Sequence, residues 1–148
     1  MKQAIDQFLQ SKNIAILGMS SNSAKFGNLA YKELSRKNYQ IYPIHPKAKK
    51  IDGVKCHKEF GEIKQTIEGV LISVPPSESD KIVELVHQAG IKNVWLQQGA
   101  QSEKAIQYCK ENDINVVYNE CILMFAEPVT SFHKFHHFLW KVLGKLPK

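Results

Sequence analysis

Arginine is nearly absent from this sequence. Arg36 is the only one, and the net charge of +6 otherwise rests on lysine. Proteins that read nucleic acid lean on arginine forks and interleaved aromatics, whereas these lysines are scattered, so a solvated surface and no nucleic-acid partner are expected. Cysteine is sparse: Cys56, Cys109 and Cys121 are odd in number and lack C-x-x-C spacing. That excludes a disulfide framework and suits a reducing compartment. Long apolar runs are missing too, and none approaches the ~18 residues of a membrane span. Residues 1–13 carry Asp6 and several glutamines instead of a signal-peptide core. A cytoplasmic protein with no membrane partner is expected. Neither a Ser-His-Asp order, nor paired carboxylates at a strand end, nor zinc spacing is visible.

What is present suits one domain over residues 1–148. A length of 148 residues and 43% hydrophobic content allow a real core. The chain reads as a short helix over 2–11, then strands near 13–17, 39–44, 69–74, 93–96 and 115–118. Helices are expected near 27–37, 77–89 and 102–112. Ser77 and Asp80 have capping-box spacing for the second of these, and Ser102 caps the third. Ile82, Val83, Leu85 and Val86 mark the buried face of the helix near 77–89. Residues 47–66 read as irregular, with Asp52-Gly53 as a turn and a short helix near 59–64. Strands alternating with helices imply an α/β, Rossmann-like, doubly wound parallel five-stranded sheet with helices on both faces. The core spans 12–119, and 120–148 is expected to be a C-terminal helical cover. Its stripe includes Phe132, Phe135, His136, Leu139, Trp140 and Leu143; His133 and His137 share a face but find no third metal ligand.

In such sheets ligands bind at the carboxyl ends of the strands, near the switch in strand order. The loop after the first strand is Gly18-x-Ser20-x-x-x-x-Lys25-x-Gly27. It is neither a dinucleotide fingerprint, which needs glycine where Ser20 stands, nor a P-loop. A serine hydroxyl, backbone N–H groups and the Lys25 ammonium, ahead of a helix N-terminus, can still hold a diphosphate. After the second strand stands His45-Pro46-Lys47, where an NAD reader would carry an acid. A lysine there favours a phosphorylated ribose, as in NADP or coenzyme A. Pro75 and Pro76 form a rigid wall after the third strand, and Gln97-Gln98-Gly99 offers amides after the fourth.

Four loops together resemble the small CoA-binding proteins and the CoA-binding domain of succinyl-CoA synthetase α subunits. They are Gly18-x-Ser20 with Lys25-x-Gly27, Tyr42-Pro43-Ile44-His45-Pro46-Lys47, Ser73-Val74-Pro75-Pro76, and Trp95-Leu96-Gln97-Gln98-Gly99-Ala100. The resemblance covers residues 13–121 and implies a Rossmann-like domain that binds coenzyme A. It implies that Ser20, Ser21 and Lys25 face the pyrophosphate, with Gly18, Phe26 and Gly27 completing the loop. Lys47, next to Pro46, would meet the phosphorylated ribose. Val74 and Pro75 would pack on adenine or pantetheine, and Gln97, Gln98 and Gly99 would close the pocket. Cys121 follows the last strand at the ligand edge, within reach of a CoA thiol. An inert buried cysteine is the stronger account of it. Asn119-Glu120-Cys121 departs from the Asp-Arg-Cys-like run of many members, and no counterpart of the synthetase's phosphohistidine domain is expected.

The reading is therefore a CoA-binding or acyl-CoA-binding protein with no reaction evident: a carrier, sensor or regulatory protein. The alternatives are an NADP-binding oxidoreductase, for which a Tyr-x-x-x-Lys proton donor is missing, and a nucleotide-gated interaction module. The protein partner is left open.

Overall fold

A computed structural model of the chain describes residues 1–126. The expected helical cover beyond them, with His133, His136 and His137, lies outside the described residues. The elements are α1 (Lys2–Leu9), β1 (Asn13–Leu17), α2 (Phe26–Ser35), β2 (Gln40–Ile44), β3 (Lys50–Ile51), β4 (Val54–Lys55), β5 (Gly69–Ile72), α3 (Pro76–Gln88), β6 (Asn93–Gln97), α4 (Glu103–Glu111) and β7 (Asn115–Glu120). Five strands form one parallel sheet in the order β2-β1-β5-β6-β7. The order reverses between β1 and β5, so the crevice expected of a doubly wound sheet opens beyond Leu17 and Ile72.

Both faces of the sheet are buried, which is why its central strands β1, β5 and β6 are nearly continuous apolar runs. Ile14, Ile16, Leu71, Trp95 and Val117 face α1, α2 and a 3-10 turn at Ile122–Met124. Ala15, Val70, Ile72, Val94, Leu96 and Val116 face α3 and α4. The alternation follows from the two-residue period of a strand. Trp95 anchors the first face. It is fully buried, meets Phe8 edge-on with ring centroids 5.4 Å apart, and donates its indole N–H to the Glu120 carbonyl at 3.1 Å.

Three local expectations are corrected. The segment after β2 is not irregular throughout. β3 and β4 pair as a small antiparallel hairpin whose turn, Asp52-Gly53, has φ of 49° and 77°. His57 then joins the edge of β2 in parallel: its N–H donates to the Pro43 carbonyl, and the His45 N–H donates to the His57 carbonyl. The Ser77/Asp80 capping box does not form. Pro76 opens α3 instead, supplying a fixed φ and lacking the N–H that would be orphaned there. Asp80 turns to the adjoining helix, where its carboxylate accepts the Ser102 hydroxyl. Leu85 is not on the buried face of α3; it is 41% exposed. Ser102 does cap α4, accepting the Ala105 N–H at 2.9 Å.

Replacing Trp95 by alanine removes the largest fully buried side chain among the described residues and leaves the Glu120 carbonyl without its indole donor. The expected loss is about 3–5 kcal/mol, read as a lowered urea midpoint with the far-UV spectrum retained below the transition.

Candidate functional site

The crevice is shaped first by backbone contact. Gly18 has φ of 126°, a region that disfavours any side chain. A Cβ there would lie 2.1 Å from the Ser73 carbonyl oxygen, because the Ser73 N–H is bonded to the Leu17 carbonyl at 2.8 Å. A Cβ at Gly27 would lie 2.4 Å from the Gly18 carbonyl oxygen. The two glycines thus let the exits of β1 and β5 and the start of α2 meet at backbone distance.

Between them the loop folds on its own side chains. Ser20 Oγ accepts the Asn22 N–H at 3.0 Å, and Asn22 Oδ1 accepts the Ala24 N–H at 3.1 Å. The Lys25 N–H donates to the Asn22 carbonyl. Lys25 is the N-cap of α2 with no side-chain cap bond. Its carbonyl takes the Asn28 and Leu29 N–H groups, so the N–H groups of Phe26 and Gly27 are the orphans of the first turn. Ser21 and Lys25 are exposed beside them, Ser20 and Phe26 half-buried.

The second loop is held by a histidine. His45 Nδ1 accepts the N–H groups of Lys47 at 3.1 Å and Ala48 at 2.9 Å. Accepting at Nδ1 puts the ring proton on Nε2. The turn leaves Pro46 and Lys47 exposed.

A cleft of about 890 Å³ opens from the switch point along the α3 side. Gly18, Met19, Pro46 and Val74 form its head, and Phe60, Ile82 and Leu85 form apolar walls. Lys58, Lys81, Glu59 and Glu78 stand around it. This cleft is the reason for the exposure of Leu85. Of the residues singled out from the sequence, Gly18, Pro46 and Val74 line it. Ser20, Ser21, Lys25, Phe26 and Gly27 gather at the start of α2, Lys47 on the β2–β3 loop, and Pro75 at the N-cap of α3.

The far end of the edge is more closed. Gln97 is buried, and its Oε1 accepts the Ile122 N–H at 3.2 Å, so that amide holds the chain after β7. Gln98 and Gly99 remain exposed. Cys121 is buried in the core shared with Trp95 and Met124, which encloses its thiol. Among the described residues no group of three or more His, Cys, Asp or Glu could hold a metal ion, and no helix is long and apolar enough to cross a membrane.

Sequence reasoning passed over Asn28, the wall residue Phe60 and the lysines Lys58 and Lys81, and placed Leu85 on the buried face of its helix. Nothing in their spacing marks them; the cleft assembles from segments far apart in the chain. Asn28 had one available signal, a short amide in the first turn of a helix that follows a phosphate-sized loop.

Sheet order, crevice and uncapped helix define a Rossmann-like α/β domain with an open switch point. Residues 12–127 match the family model described as the CoA binding domain, and the chain belongs to that family. It is similar to an ADP-forming acetate–CoA ligase of Methanocaldococcus jannaschii, 29% identical over 119 residues. That match covers 75% of this chain but only 17% of the ligase. It is also similar to the uncharacterized protein YneT of Bacillus subtilis, 29% identical over 131 residues, covering 88% of this chain and 96% of that one. A solved structure, a hypothetical protein from Pyrococcus horikoshii, superposes with a TM-score of 0.76 at 29% identity, covering 82% of this chain and 87% of that one. The resemblance read from the four loops thus holds at the level of the family.

Glu120 is the anomaly of this edge. It ends β7, is 7% exposed, and its Oε2 has no hydrogen-bond partner. Burial pushes its carboxyl above the ordinary glutamate value, opposed by the N-terminal ammonium. The folded state therefore holds a proton that the unfolded chain has released, so stability falls as pH rises from the ordinary value through the raised one. Glu120→Gln should flatten that decline, read as urea midpoints across the acid-to-neutral range. An unchanged slope would mean that the carboxyl ionises freely in the folded protein.

Proposed function

We propose that the chain binds coenzyme A, or an acyl-CoA, across the carboxyl edge of its sheet and acts as a non-catalytic carrier, sensor or regulatory protein. The observation that carries this is the convergence at one switch point of three features. They are the orphan Phe26 and Gly27 N–H groups, a lysine-bearing turn after β2, and an apolar cleft. Helix N-termini favour anions through unpaired N–H groups and the dipole. The diphosphate would lie there, within reach of Ser20, Ser21 and Lys25. Lys47 would meet the 3′-phosphate. The adenine would enter the cleft past Val74 and Pro75, where apolar walls and few donors suit an aromatic face. The pantetheine arm would run along the edge toward Gln98 and Gly99. Membership of the CoA-binding family supports the ligand.

The test is a thermal-shift panel with CoA, acetyl-CoA, dephospho-CoA, NAD and NADP. CoA well above its dissociation constant should stabilise the protein by about 2–3 kcal/mol, and NAD should not. A flat response to CoA with a clear response to NADP would overturn the reading. Lys47→Ala should weaken CoA about tenfold or more, one charge-assisted contact, while barely affecting dephospho-CoA. Equal losses for both ligands would reduce Lys47 to general surface charge.

A further inference from the structure

Asn28 joins the two loops that flank the crevice. It sits in the first turn of α2 and is 8% exposed. Its Oδ1 accepts the Ser20 N–H at 2.9 Å, and its Nδ2 donates to the Ser20 carbonyl at 2.8 Å. The same Nδ2 donates its other hydrogen to Asp52 Oδ2 at 3.0 Å. Only this orientation of the amide works, because the flipped one would set NH₂ against an N–H and an oxygen against a carboxylate. One side chain thus grips both backbone polar groups of Ser20 and ties them to the tip of the β3–β4 hairpin. Through Ser20 the constraint passes along the loop, by way of Asn22 and Ala24, to Lys25. Through Asp52 it passes to the segment that begins at Lys47.

We propose that Asn28 is a positioning residue that fixes the spacing between the diphosphate loop and the Lys47 turn, and so sets preference for a ribose carrying a phosphate. This rests on the CoA reading above. A buried amide would be a poor way merely to cap α2, since its contacts reach outward to two loops rather than to the helix's own N–H groups. The strut has two separable ends. Breaking the Asp52 end frees the lysine turn alone. Breaking the Asn28 end frees both loops.

The experiment measures CoA and dephospho-CoA affinity by titration calorimetry on the full chain, for wild type, Asp52→Ala and Asn28→Asp. Asp52 is exposed, so Asp52→Ala should fold. It should lower the preference for CoA over dephospho-CoA several-fold and leave dephospho-CoA affinity nearly unchanged. Asn28→Asp keeps the shape but loses both donors and faces Asp52 with a like charge. It should weaken dephospho-CoA about tenfold and CoA by several-fold more, since both donated bonds are lost and the lysine turn is freed as well. If wild type prefers CoA and neither variant changes that preference, Asn28 is only structural and the proposal fails while the CoA reading stands. If wild type binds neither ligand, the CoA reading fails and takes the proposal with it. Should Asn28→Asp not fold, the Asp52→Ala ratio decides alone.

Discussion

The approach of Gly18 to the Ser73 carbonyl is the constraint on which the site depends. β1 and β5 are adjacent strands whose crossovers leave in opposite directions, so their exits must pass at backbone distance. Any Cβ at Gly18 would push Ser73 away and part the strands at the point where the crevice begins. Gly27 repeats the requirement one layer up, where α2 starts against the Gly18 carbonyl. These glycines are required by packing alone. By bringing the helix start onto the strand exit they leave the Phe26 and Gly27 N–H groups at the crevice with no backbone partner.

From that junction the edge divides into unlike halves. On the side of β2 and α3 it is open, with an apolar cleft and a lysine turn organised by His45. On the side of β6 and β7 it is folded inward. Gln97 holds the Ile122 N–H, Trp95 holds the Glu120 carbonyl, and Cys121 is enclosed. A ligand lying across the edge would meet shape and charge at one end and mostly exposed backbone at the other. The buried carboxyl of Glu120 lies under that closed half. Its uncompensated oxygen loads the end of β7 with a penalty that grows as the group ionises.

Much of this was legible in the residues themselves. The five strands, their parallel direction and the two buried faces follow from apolar runs of strand length separated by helical spacing, a local and repeated signal. Ser102 as a cap and Asp52-Gly53 as a turn were equally local. The family could be read because four short loops keep their order and spacing along the chain. The capping box failed for an instructive reason. Ser77 and Asp80 satisfied a spacing rule, but Pro76 already supplied the helix start, and Asp80 was drawn to a hydroxyl on another helix.

The sequence by itself determined the sheet, its carboxyl edge and the loops that border it, because these depend on periodicity and on residues adjacent in the chain. Tertiary structure alone decided which of those residues point where. Leu85 carries the spacing of a core residue yet stands in a cleft, because the 58–61 segment does not close over α3 there. Gln97 looks like a ligand contact yet holds Ile122, and Asn28 looks like an ordinary helix residue yet joins Ser20 to Asp52 across 24 positions. Such pairings are set by distances between segments remote in the chain, and no local pattern encodes them.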